Sequence, residues 1–151
     1  MKQNYSRRWF LQAAVMGAAL TALPMRLLAR ATGAFEARDK DALISQLFGD
    51  LPVEKSDVVV FRQLADIAEN GAVVPVRVST TIEGVEQIAV VVDGNPNPLS
   101  AIFNLSDALE ADVSTRIKIG DSSMVRAFVK TADRVYTTAK EVKVTIGGCG
   151  G

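Results

Sequence analysis

One side chain combines nucleophilic chemistry with a setting that exposes it. Cys149 is the chain's single cysteine and lies in Ile146-Gly147-Gly148-Cys149-Gly150-Gly151. Free cysteines are usually small, buried apolar side chains, and glycine-rich chain ends are usually idle. Here Gly147, Gly148, Gly150 and Gly151 offer nothing to pack, and glycine loses the most conformational freedom on ordering. The pattern predicts a flexible, narrow arm with a thiol near its tip. From Ile146 to Cys149 it reaches roughly 10 Å at about 3.3–3.6 Å per residue. The thiolate is the reacting form of such a group. Few basic residues lie near it in sequence, Lys143 being the nearest, so activation is expected from a partner's pocket.

Other chemistries are excluded by residue type. The chain has no histidine, which removes Ser-His-Asp and Cys-His nucleophile systems. One cysteine makes neither a zinc site nor an internal disulfide. There is no GxGxxG and no P-loop. Asp107 and Glu110 read as a solvated face, and Asn104-Leu105-Ser106 as a chance match to a glycosylation acceptor. No internal active site is expected, no metal and no cofactor, so the chain is read as a carrier protein and not an enzyme.

The N-terminus reads as an export address. Ser6-Arg7-Arg8-Trp9-Phe10-Leu11 is a twin-arginine pattern, followed by an apolar run from Trp9 to about Leu23 and by Ala29-Arg30-Ala31, an A-x-A cleavage pattern. The run is short for a membrane span, which needs about 20 apolar residues. The expected organisation is a signal peptide over 1–31, a domain over 32–146 and a tail over 147–151, with the mature protein exported folded to the periplasm and free of the membrane. Lys2, Arg7, Arg8, Arg26 and Arg30 leave with the signal, and the remaining twelve basic and 17 acidic residues give −5. That charge leaves no electrostatic footprint for nucleic acid.

The elements that must position Cys149 are mostly strands. Asp41 to Phe48 places Leu43, Ile44, Leu47 and Phe48 on one helical face, with Asp39 as cap and Gly49 as stop. Val58 to Phe61 is a short strand, and Glu69-Asn70-Gly71 a turn. Val74, Val76, Val78, Thr80 and Ile82 alternate with polar positions, as half-buried strands do. Pro75 places that stretch near a sheet edge. Gln87 to Val92 is apolar throughout and is expected to be central. Asp93 to Pro98 is a turn. Leu99–Leu105, Val113–Ile119, Met124–Lys130, Arg134–Thr138 and Val142–Ile146 complete about seven short strands. The expected fold is all-β, an antiparallel β-sandwich that is Ig-like in architecture, with one short N-terminal helix. Val142 to Ile146 would anchor the arm on a rigid body.

The ending Gly147-Gly148-Cys149-Gly150-Gly151 resembles the Gly-Gly-Cys-Gly-Gly terminus of the SoxY family, the sulfur-carrier subunits of the bacterial thiosulfate-oxidising Sox system. The export signal and Ile67-Ala68-Glu69-Asn70-Gly71-Ala72-Val73-Val74-Pro75-Val76 are similar to that family too. The resemblance implies an Ig-like sandwich and a SoxZ-like partner in a heterodimer. That partner carries no signal of its own, which suits folded export. It implies covalent sulfur attachment at Cys149. A haem cytochrome would load thiosulfate, a hydrolase would release sulfate and a sulfur dehydrogenase would oxidise what remains. The glycines would let the arm enter narrow channels.

Two other readings stand beside it. One is a periplasmic β-sandwich interaction module whose tail cysteine forms an intermolecular disulfide. The other is a ubiquitin-like carrier with a thiocarboxylate on Gly151. The latter needs ATP-dependent activation, which an exported protein lacks, and the all-β pattern opposes that fold.

Overall fold

The computed structural model describes residues 33–106 and 108–146. Valine alternation builds the smaller of its two sheets. Val74, Val76 and Val78 are buried and Pro75 and Arg77 exposed in β4 (Val74–Thr80). This strand lies between β2 (Val59–Gln63) and β7 (Asp112–Ile117), antiparallel to both. The pairing with β2 begins only at Arg77, whereas Val74 to Val76 pair with β7 alone. Pro75 therefore sits where β4 has an open flank, as a residue without an N–H requires.

The larger sheet runs β1 (Val53–Lys55), β9 (Val135–Ile146), β8 (Ser123–Lys130), β5 (Gln87–Val92), β6 (Leu99–Asn104), with β3 (Ile67–Asn70) also on β9. β5 is central, between β8 and β6. Its continuous apolar run has a physical cause. Ile88, Val90 and Val92 face the core between the sheets, and Ala89 and Val91 face a second core under the helix. That helix, α1 (Lys40–Phe48), lays Leu43 and Phe48 on Val91, Leu99 and Phe128. The rings of Phe48 and Phe128 stand 5.5 Å apart at 40°. Asp39 caps α1 by accepting a 2.8 Å hydrogen bond from the Ala42 N–H. Gly49 ends it at φ 64°, its N–H donating to the Ser45 carbonyl, a left-handed conformation that favours glycine.

The all-β sandwich with a short N-terminal helix is thus present, with three differences from expectation. The described residues hold nine strands, since β1 and β3 appear as short edges. Both pair parallel to β9, so the sandwich is not wholly antiparallel. The two strands expected over 134–146 are one strand of 12 residues. Lys140 does not break it, because its ammonium donates to the Leu64 carbonyl at 2.7 Å and pairs with Asp66 at 3.1 Å.

The Asp93–Pro98 turn is a clamp as well as a turn. Asn95 donates to the Lys118 carbonyl at 2.7 Å and accepts from the Gly120 N–H at 2.9 Å. The Asp93 carboxylate accepts a bifurcated hydrogen bond from Arg126 Nε, its two oxygens 3.0 and 2.9 Å away. Gly94 presses on β8 so closely that a Cβ there would lie 2.8 Å from Ser123 Cβ. Gly94→Ala is therefore expected to destabilise the fold by about 1–3 kcal/mol, as overpacking does, read as a lowered Tm.

On the outer face of the smaller sheet Arg77 grips Asp112 through two hydrogen bonds, of 2.7 and 2.6 Å. These bonds chiefly hold the Asp112 carboxyl below the usual carboxylate range; burial opposes them, and the charges of Arg77 and then Arg62 assist. A lowered folded-state value means stability that is present above the unfolded pKa of about 3.9 and lost as pH falls through the folded value. Asp112→Asn should lower the midpoint of chemical unfolding at neutral pH, and that difference should shrink on acidification below about pH 4.

Candidate functional site

The describable part of the expected site is its root, the last turn of chain before the tail. Cys149 and Gly147, Gly148, Gly150 and Gly151 lie outside the described residues. The root is the C-terminal third of β9. Val142 is fully buried there and Val144 packs partly on the inter-sheet core. The two valines fix the strand while Lys143 and Thr145 face outward, the alternation that Val142-Lys143-Val144-Thr145 requires.

Both flanks of this strand end are held. On one, β3 runs parallel, pairing Ile67 with Lys143, Ala68 with Val144 and Asn70 with Ile146. The Lys143 N–H donates to the Asp66 carbonyl at 2.9 Å and the Thr145 hydroxyl to the Glu69 carbonyl at 3.1 Å. The Ser122 hydroxyl accepts from the Val144 N–H at 2.8 Å. The supports are themselves braced. Asn70 accepts from the Ala72 N–H at 2.8 Å, and the Ile119 N–H donates to the Gly71 carbonyl at 2.8 Å. Ile119 adjoins Gly120, which Asn95 holds. A chain of contacts from the Asp93–Pro98 turn to β3 thus stiffens the end of the molecule from which the tail departs.

Sequence reasoning identified β9 as the anchor but missed Asn95, Ser122 and the parallel β3. The signal for β3 was present in Ile67-Ala68-Glu69-Asn70, which was absorbed into the turn at Asn70-Gly71. Ile67 and Val73 flank that turn and are more than half exposed. Charges at this end are mixed, with Asp66, Glu69, Asp121, Lys118 and Lys143 all exposed.

An open groove of about 760 Å³ lies beyond the opposite end of β4, lined among others by Val60, Arg62, Ser79 and Leu109. Arg62 Nε donates to the Ser79 hydroxyl at 2.9 Å. It holds serines and threonines, but the chain has no histidine to activate them. Among the described residues no group of His, Cys, Asp or Glu is placed to hold a metal ion, and no helix is long and apolar enough to cross a membrane.

Two stacked sheets, with strand β9 held along both edges, define a β-sandwich protein. The family model for sulfur oxidation protein SoxY matches residues 44–149, a span whose last residue is Cys149. The sulfur carrier protein SoxY from Chlorobium limicola f thiosulfatophilum superposes with a TM-score of 0.64 at 34% identity, covering 70% of this chain and 96% of that one. A superoxide reductase (neelaredoxin) from Ignicoccus hospitalis reaches 0.50 at 19% identity, over 58% of this chain and 79% of that one, and shares the fold alone. No curated protein matches the chain. The chain belongs to the SoxY family of sulfur oxidation proteins. As a member it is a carrier component of sulfur oxidation and not a catalytic enzyme.

The bracing has a measurable signature. Ser122→Ala leaves the Val144 N–H without its partner at an exposed position, worth about 0.5–1.5 kcal/mol. Amide exchange at Val144 and Thr145 should quicken, while exchange in the β8–β9 ladder near Ala127 and Thr138 stays slow.

Proposed function

We propose that the chain carries the sulfur intermediates of thiosulfate oxidation covalently on the thiol of Cys149, in the periplasm, and presents them to partner enzymes. The observation that supports this most directly is the family match, which runs unbroken through the braced strand β9 to Cys149. Export as a folded protein by the twin-arginine route rests on Arg7-Arg8 and Ala29-Arg30-Ala31. The heterodimer partner is SoxZ-like.

The chemistry divides between the carrier and its enzymes. The Cys149 thiol and the outer sulfur of thiosulfate join in a new S–S bond. The thiol proton leaves to solvent and two electrons pass to a haem cytochrome. A hydrolase adds water across the bond to the sulfonate, releasing sulfate and leaving a persulfide on Cys149. A sulfur dehydrogenase removes six electrons from the outer sulfur, with water supplying three oxygens. A second hydrolysis releases sulfate and returns the thiol. The chain's own contribution is positional. A stiff root sets where the tail begins, and about 10 Å of backbone, clear of side chains at Gly147 and Gly148, delivers the sulfur into a narrow channel. Gly150 and Gly151 keep the leading end slender.

Intact mass of the protein purified from the periplasm of thiosulfate-grown cells, with and without reductant and with mapping of the C-terminal peptide, tests this. The expected result is a reductant-sensitive gain at Cys149 of one sulfur atom or a thiosulfonate group. Cys149→Ser should lose the adduct while keeping the parent Tm. An unmodified thiol, or only a disulfide-linked species, would favour the interaction-module reading.

A further inference from the structure

The first residues of the described chain are already fastened to the body. Ala34 is fully buried, in the helix-side core with Leu43, Phe48 and Leu99, and Ala37 packs partly against the same cluster. Between them the Phe35 carbonyl accepts a 2.9 Å hydrogen bond from Asn97 Nδ2. Asn97 stands between Pro96 and Pro98 in the clamped turn, where the Pro98 carbonyl accepts from the Val92 N–H at 2.8 Å. A proline on its C-terminal side confines Asn97 to extended backbone, so the donor is held ready for Phe35. Phe35 and Glu36 themselves are exposed. The attachment is thus small and local: one buried methyl, a second half-buried one and one hydrogen bond.

The bond expected to be cut, after Ala31 in Ala29-Arg30-Ala31, lies three residues before Ala34 in sequence. Three extended residues span roughly 10 Å at about 3.3–3.6 Å each. A signal peptidase holds its substrate extended on both sides of the bond, and proteolysis acts on chain that has opened locally. A protein exported unfolded meets the peptidase before any such attachment has formed. One exported folded meets it with Ala34 already in the core.

We infer that Ala34–Ala37 is a latch that must lift from the helix-side core and from Asn97 before the signal is removed. The inference rests on the reading that the chain is exported folded and cut after Ala31. Opening leaves the body intact, because α1 starts beyond the latch at Lys40, behind its own Asp39 cap. When opening and closing are fast relative to cutting, the rate follows the fraction of chains that are open. The latch therefore sets how long the folded chain stays tethered by its signal, and it closes again on the mature chain.

The test uses the full precursor with Cys149→Ser, folded in detergent, and a purified bacterial signal peptidase, with the product identified by N-terminal sequencing. Asn97→Ala removes the donor and should speed cutting by about two- to tenfold. Gly-Ser-Gly-Ser inserted between Thr32 and Gly33 lengthens the reach and should speed it at least as much. On that insertion background Asn97→Ala should add nothing, because the latch no longer has to open. Cutting after Ala31 at one rate in the parent, the Asn97→Ala chain and the insertion chain would overturn the latch alone. An Asn97→Ala effect of equal size with and without the insertion would trace it to a general loosening of the fold and overturn the latch as well. An insertion chain left uncut after Ala31 would overturn the export reading, and the latch with it.

Discussion

Strand β9 is the member on which the rest of the structure hangs. It pairs with β8 through eight residues, from Val135 to Val142, and with β1 and β3 along its other edge. Its buried Val135 enters the helix-side core and its buried Val142 the core between the sheets. Like β5 and β8, it therefore contributes to both apolar layers, one on each face of the sheet. With one cysteine and no internal disulfide available, cohesion comes from this shared membership and from the ladders on both edges.

The large sheet is buried on both faces over much of its area, which is unusual for an antiparallel sheet with one solvated side. α1 makes the difference. Its Leu43 and Phe48 close the outer face above Val91 and Phe128, and the loops at the far end lock against one another through Asn95, Asp93 and Arg126. The stiffness this produces is concentrated where β9 ends. The hydrogen bonds of Ser122, Thr145 and Asp66 fix where the described part of β9 ends.

Much of this was legible in the residues. Alternation at Val74, Val76 and Val78 and the unbroken run at Ile88–Val92 reported burial correctly, because side-chain period and burial are coupled directly in a strand. Asp39 and Gly49 marked the helix ends because both act through local backbone geometry. Failures came where long-range partners decide. Lys140 and Glu141 looked like an interruption, since nothing local shows that Leu64 and Asp66 wait across the sheet for the ammonium. β1 and β3 are short edges with little burial, so their pattern carries no period. Their parallel pairing with β9 joins residues far apart in sequence, and no local signal encodes it. The reading of the tail rests on composition alone, four glycines about one cysteine, and lies outside the described residues.

The parallel placement of β1 and β3 on β9 also sets an order of assembly. Their partners lie 76 to 82 positions downstream, at Val135–Thr137 and Lys143–Ile146. Such pairings raise contact order and are delayed until the loop between them can close. During synthesis β1 and β3 have no edge to join until β9 has emerged. The strand that completes the sheet is the same one that leads directly into Cys149. A chain cut short within β9 therefore lacks the ladder that closes the larger sheet.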